Sequence, residues 1–187
     1  RIQSDGNVGI GVLPKTGGST WQHIQFGGTG NLIARKSDTT IDSMFANNYY
    51  VNSSNVDSYI TTGAAARMFF NDNVITFDQA ASGSTDAAIS FTTAMRIDSS
   101  GNVGIGTLTP GSYNSAGRNL VVADSGNSGI SIVAGTTSDS SIMFADGTGG
   151  TAGYRGRVAY DHNGDYLRFD TAAAERMRID SSGNVGI

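Results

Sequence analysis

Arg96-Ile97-Asp98-Ser99-Ser100-Gly101-Asn102-Val103-Gly104-Ile105 is the stretch whose reading decides the fold. Met95 and Ile97 flank Arg96 in the apolar–charged alternation of a half-buried strand. Asp98 to Asn102 is a cluster of turn residues, and Gly101 is free to take positive φ. Val103-Gly104-Ile105-Gly106 then alternates apolar residues with glycine. The stretch predicts a β-hairpin with an apolar first strand and a second strand that offers a glycine face. Glycine inside a strand weakens it unless another backbone approaches closely. The expected visitor is the same strand of a neighbouring subunit around a symmetry axis. The plainer reading is an edge hairpin with two tolerated glycines, since glycine also marks bulges.

The same ten residues open and close the chain. Arg1-Ile2-Gln3-Ser4-Asp5-Gly6-Asn7-Val8-Gly9-Ile10 stands at one end and Arg178-Ile179-Asp180-Ser181-Ser182-Gly183-Asn184-Val185-Gly186-Ile187 at the other. Gly6, Gly101 and Gly183 are 95 and 82 residues apart, too far for the 20–50-residue coil of a solenoid. Such spacings suit small β modules that each end in a linking hairpin.

The intervening residues match as well. Ser37-Asp38-Thr39-Thr40-Ile41 followed by Met44-Phe45-Ala46 resembles Ser138-Asp139-Ser140-Ser141-Ile142 followed by Met143-Phe144-Ala145. Arg67-Met68-Phe69-Phe70 and Ile75-Thr76-Phe77-Asp78 flank Asn71-Asp72-Asn73; Arg157-Val158-Ala159-Tyr160 and Leu167-Arg168-Phe169-Asp170 flank Asp161-His162-Asn163-Gly164-Asp165. Asn-Gly between alternating apolar runs is a strong hairpin signal. The reading is all-β: residues 1–11 end a preceding module, 12–106 form a first module with its linker, and 107–187 form a second.

Composition agrees. The 187 residues hold 26 glycines and 2 prolines, and Ser, Asn and Asp compete with the helical backbone. Hydrophobic residues make up 38%, so small modules of this kind have little with which to build a core alone, and an oligomer is expected. The net charge is −4, with Lys15 and Lys36 the only lysines, which leaves no basic footprint for nucleic acid. No apolar run approaches the length of a membrane-spanning helix, so no membrane insertion is expected. With no cysteine, disulfides and thiolate metal sites are excluded.

Met95 to Thr107 with Pro110 resembles the repeated linker of bacteriophage tail fibres and related virion appendages. The first copy departs from it at Gln3, Asp5 and Val12. Such fibres often end in an endosialidase-type intramolecular chaperone that is cleaved off after trimerisation. That chaperone is absent from these residues, and a chain that starts at Arg1 and stops in mid-motif reads as a piece of a longer fibre. The resemblance implies an elongated, intertwined homotrimer in the virion tail, outside the cell, that positions host receptor binding. Its motif residues here are Gly6, Asn7, Gly9, Gly101, Asn102, Gly104, Gly183, Asn184 and Gly186. A bacterial surface filament or adhesin is the alternative with the same modular logic.

Chemistry is sparse. His23 and His162 have no ordered Ser–His–Asp arrangement around them, and Glu175 is the only glutamate, so paired-carboxylate hydrolysis finds poor support. Asp98 and Asp180 recur with the linker and read as turn residues. Asp161 to Asp165 resembles the start of a calcium loop, but glycine falls at the fourth position and Ala172 stands where the bidentate glutamate belongs. Gly27-Gly28-Thr29-Gly30 and Gly147-Thr148-Gly149-Gly150 lack the Lys-Ser/Thr of a phosphate loop. The reading is therefore no enzyme, no metal and no cofactor. Trp21, Tyr49, Tyr50 and Tyr59 are candidates for stacking on a host cell-surface glycan; the competing reading packs Trp21 and one tyrosine in a core. Tyr49 and Tyr50 are adjacent, which on a strand sends one in and one out.

Overall fold

The computed structural model describes residues 1–35 and 42–187, so Lys36 and the Ser37–Ile41 part of the matched stretch lie outside the described residues. The chain is all-β and divides into two compact units, Arg1–Gly129 and Ile130–Ile187.

The first unit is a nine-stranded sheet built as a meander. Its strands are β1 (Val8–Ile10), β2 (Trp21–Phe26), β3 (Gly30–Arg35), β4 (Asp42–Asn47), β7 (Gly63–Asn71), β8 (Val74–Gly83), β9 (Thr92–Ile97), β10 (Val103–Ile105) and β11 (Leu120–Val122), in that spatial order. A small hairpin, β5 (Tyr50–Val51) with β6 (Asp57–Ser58), sits in the excursion between β4 and β7. The β1–β2 and β10–β11 pairs are parallel and the others antiparallel. This unit runs past Gly106, where the sequence closes its first module, because Leu120–Val122 pairs with β10.

The second unit is a five-stranded antiparallel meander of β12 (Asp139–Phe144), β13 (Gly156–Asp161), β14 (Tyr166–Thr171), β15 (Ala174–Ile179) and β16 (Val185–Gly186).

The linker stretch forms the expected hairpin. Val103 pairs with Ile97 and Ile105 with Met95. Asp98 makes the turn: its carbonyl accepts Gly101 N–H at 2.9 Å, and its Oδ1 accepts the N–H groups of Ser100 and Asn102, each at 2.9 Å. Gly101 sits at φ +83°, where a Cβ is strained. Asp180 repeats this turn with Ser182 and Asn184. In the first copy Gln3 replaces the turn aspartate, and Asp5 compensates by accepting Asn7 N–H at 3.0 Å and its side-chain amide at 2.9 Å. One backbone thus tolerates two positions for the carboxylate that holds the asparagine.

The two units share a second device. Arg67 on β7 faces Asp78 on β8, with Nε 2.9 Å from Oδ2; Arg157 on β13 faces Asp170 on β14 at 2.8 Å. Both aspartates are buried, and a buried charge needs such a partner. Immediately before each aspartate the ladder to the next strand slips by one residue, at Phe77/Asp78 and at Phe169/Asp170.

The sequence match of Met44-Phe45-Ala46 with Met143-Phe144-Ala145 is displaced in the ladder. Ala46 lies opposite Arg67, whereas Met143 lies opposite Arg157. The slip is two residues, which keeps every side chain on its own face, because strand side chains have period two.

Hairpin tips follow local chemistry. Asp72 and Asn73 join β7 to β8 with φ of 43° and 64°, the two-residue turn that matches strand twist. The expected Asn-Gly tip is a four-residue loop, His162 to Asp165, in which Asp161 Oδ1 accepts the N–H groups of Asn163 and Gly164 at 2.9 and 2.7 Å. Ala172 and Ala173 make a two-residue turn at φ 53° and 59°, an unfavourable region for alanine.

Candidate functional site

The four aromatic candidates for a glycan are core residues, and that expectation is corrected. Trp21 is 7% exposed, Tyr49 0%, Tyr50 6% and Tyr59 5%. Tyr49 stands edge-on to Phe91 at 5.5 Å and donates its hydroxyl to Asp57 at 2.9 Å; burial, then Asp57, pushes its phenol pKa up, so it stays a donor. The Arg35 guanidinium covers the Trp21 ring at 4.4 Å. Tyr49 and Tyr50 do not split between core and solvent: Tyr49 belongs to the buried cluster with Trp21, Ile33 and Tyr59, and Tyr50 lies under Lys15, 5.3 Å from its ring, and donates its hydroxyl to Asp86 at 2.6 Å. No face of these rings is open to a sugar.

The histidines and acids are likewise committed. His23 is buried on β2, and its backbone N–H donates to Asn7 Oδ1 at 3.0 Å. His162 Nε2 lies 3.0 Å from Ser140 Oγ at a hairpin tip. Asp161 Oδ2 accepts Tyr166 Oη at 2.9 Å, and Asp165 accepts Tyr160 Oη. Asp98 and Asp180 have pKa values held below the ordinary carboxylate range, first by the side-chain amides of Asn102 and Asn184. Among the described residues no group of three His, Asp or Glu side chains is placed to hold a metal ion, and no helix is long and apolar enough to cross a membrane.

In the first two copies the strand glycine is covered by the chain itself, which corrects there the expectation of a neighbour at the glycine face. A Cβ on Gly104 would lie 2.6 Å from the Thr107 carbonyl oxygen and 3.3 Å from Pro110 Cδ; one on Gly9 would overlap the Val12 carbonyl. In both copies the chain turns after the strand and lays a buried proline, Pro14 or Pro110, on the glycine. Gly186 has no atom within 4 Å of such a Cβ.

The open surface is the opposite face. Val8, Ile24, Leu32, Phe45, Met68, Phe77, Met95, Ile105 and Val122 are register partners in unbroken succession, one from each strand of the nine-stranded sheet. A second row beside it runs Phe70, Ile75, Ile97, Val103, Leu120. Phe45 is 53% exposed and Phe77 40%. Charged residues of these strands, Arg35, Asp42, Arg67, Asp78 and Arg96, fall on the other face by strand alternation.

The second unit repeats the arrangement. Ile142, Val158, Phe169 and Met177 form one row, and Tyr160, Leu167, Ile179 and Val185 the next. Through Arg67–Arg157 and Asp78–Asp170, Ile142 takes the ladder place of Phe45, and Phe169 that of Phe77.

The sheet therefore carries apolar residues on both faces, one covered and one open. Its covered side buries His23, Gln25, Asn31, Asp42, Thr76 and Asp78 among Trp21, Ile33, Met44 and the excursion residues. These polar groups are tied down: Asn31 Nδ2 donates to Tyr49 O at 2.7 Å, and Thr93 Oγ1 donates to Asp78 Oδ1 at 2.7 Å. Its uncovered side carries further large apolar residues, Phe45 and Phe77 among them. The signal missed in the sequence was the Gly-Val-Leu-Pro and Gly-Thr-Leu-Thr-Pro turns that close the glycine side of the first two copies. Comparison with protein-family models, with curated proteins and with solved structures finds no match to this chain.

Proposed function

We propose that this chain is a structural segment of an extracellular fibre of the bacteriophage tail-fibre kind, in which three copies pack their apolar sheet faces around a common axis. The observation that carries the reading is the uncharged apolar row across all nine strands, repeated at equivalent places in the second unit. Contiguous exposed apolar surface on a β-sheet marks an interaction site. An uncharged face suits identical copies, because rotation about an axis sets each patch against a like patch without repulsion. The covered face, which holds the cross-strand Arg–Asp pairs, then lies outward.

The repeated linker supports elongation. In the first two copies the linker strand is followed by a parallel strand of the same sheet, so the chain runs on beyond the hairpin. The work of such a segment is mechanical: it holds a receptor-binding element at a distance, and none of its side chains needs to react. The resemblance of Met95–Pro110 to phage fibre linkers directs the reading to a virion appendage in preference to a bacterial filament.

Electron microscopy of the isolated chain together with an unheated detergent gel tests it. A closed three-copy rod that survives detergent is the expected result. An open helical polymer moves the assignment to a bacterial filament, and a monomer overturns the fibre reading.

A further inference from the structure

Among the strands of the first unit that have no counterpart in the second is the one that flanks β4. In the first unit β3 pairs along β4, with Ile33 opposite Met44. In the second unit β12, the counterpart of β4, pairs with β13 alone in the five-stranded sheet. The segment before it reads Ile130-Ser131-Ile132-Val133-Ala134, alternating and β-prone, and stands outside every strand. Ile130 is 70% exposed and Val133 89%.

Register shows where the segment belongs. Ser141 holds the ladder place of Met44 once Arg157 is matched with Arg67. A turn, Gly135 to Ser138, is closed by Ser138 N–H to Gly135 O at 3.0 Å. A strand paired from Ala134 opposite Asp139 would set Ile132 opposite Ser141, the place that Ile33 fills, fully buried, in the first unit. Val133 would then join the apolar face beside Ser140.

The chain's own segment, although only four residues from β12, does not lie on it. The free edge is a template for an added strand, and an unprotected edge of alternating sequence recruits one. We infer that the free edge of β12 takes up Ile130–Ala134 of a neighbouring copy, so that copies exchange a strand as well as facing one another. The inference rests on the self-association proposed above.

The absence of cysteine makes the test clean. Ile132→Cys and Ser141→Cys are placed on separate chains, which are refolded together and oxidised. Directly opposed strand residues lie within disulfide reach, about 4.5–5.5 Å between Cα atoms. The expected result is a mixed dimer on a non-reducing gel, whereas Val133→Cys with Ser141→Cys, whose side chains point to opposite faces, gives little. The double variant Ile132→Cys/Ser141→Cys should likewise link between chains. A bridge confined within single chains, or free thiols in an oligomer that light scattering shows intact, overturns strand exchange and leaves self-association standing. A monomer by light scattering overturns both.

Discussion

Exchanging one residue between the repeats should move the stability of the two units in opposite directions. Asp78 is buried and satisfied: Oδ2 accepts Arg67 Nε at 2.9 Å and Thr76 Oγ1 at 3.1 Å, and Oδ1 accepts Thr93 Oγ1 at 2.7 Å. Asp170 is its counterpart, with Arg157 Nε at 2.8 Å on Oδ2, but its Oδ1 is buried with no hydrogen-bond partner among the described residues. The cause is legible in the repeat. Glu175 stands opposite Asp170 where Thr93 stands opposite Asp78, and Glu175 turns to Arg178 at 2.8 Å instead of donating.

A hydrogen bond to a charged group is worth about 1.5–3 kcal/mol, and an orphaned buried acceptor costs a similar amount. Thr93→Val keeps the shape and deletes the donor, so it should destabilise the first unit by about 2 kcal/mol. Glu175→Thr supplies the donor. It forfeits an exposed, solvent-screened ion pair that contributes little, for a net gain of about 1 kcal/mol, or roughly 5 °C in a unit this small. Glu175→Val controls for strand propensity and should bring no comparable gain. Trp21, the sole tryptophan, reports urea unfolding of the first unit by fluorescence, and amide exchange of β13–β15 reports the second, at fixed protein concentration. Shifts of the same sign in the two units, or a Glu175→Val gain equal to that of Glu175→Thr, would refute the argument.

Three further outcomes follow from local geometry. Ala172→Asn with Ala173→Gly relieves two alanines at positive φ and should stabilise the second unit by about 1–2 kcal/mol, read by thermal melting. Gly104→Ala sets a Cβ 2.6 Å from the Thr107 carbonyl and should cost about 2 kcal/mol or more, whereas Gly186→Ala meets nothing and should stay within about 0.5 kcal/mol. The carboxyls of Asp98 and Asp180 have folded pKa values below their unfolded ones, so their contribution is present above about pH 4 and is lost as pH falls through the lowered values. NMR titration of the turn amides of Ser100 and Ser182 should show this loss, and Asp98→Asn should abolish it at the middle turn.

How much of this was readable before the structure differs from residue to residue. The hairpin at Asp98–Asn102 was legible because turn chemistry is local: a carboxylate reaching two or four residues ahead and a glycine at positive φ need no tertiary partner. Pairing of Arg67 with Asp78 and of Arg157 with Asp170 was visible only as a matched pattern, since it depends on a ladder register that the sequence does not state. The fate of Tyr49 and Tyr50 was hidden. Adjacency on a strand separates side chains, but Tyr49 belongs to the buried cluster and Tyr50 lies under Lys15, and long-range burial overrides the alternation. The glycine face was misjudged for a related reason. A close approach was foreseen, but the visiting backbone, at Thr107 and Val12, comes from the chain's own next turn. Once that side is closed, the outward Phe45–Met68–Phe77 row is left as the open surface.

That row carries the central claim, and light scattering of the intact chain beside Phe77→Asp tests it most directly. Phe77 is in the middle of the row, 40% exposed, with Met68 and Met95 as its register neighbours. A charge there costs little in a free monomer but is strongly unfavourable when desolvated against a like face. The account predicts a three-copy assembly for the native chain and a folded monomer for Phe77→Asp, with unchanged Trp21 fluorescence. A native chain that stays monomeric at micromolar concentration, or an assembly indifferent to Phe77→Asp, would contradict it.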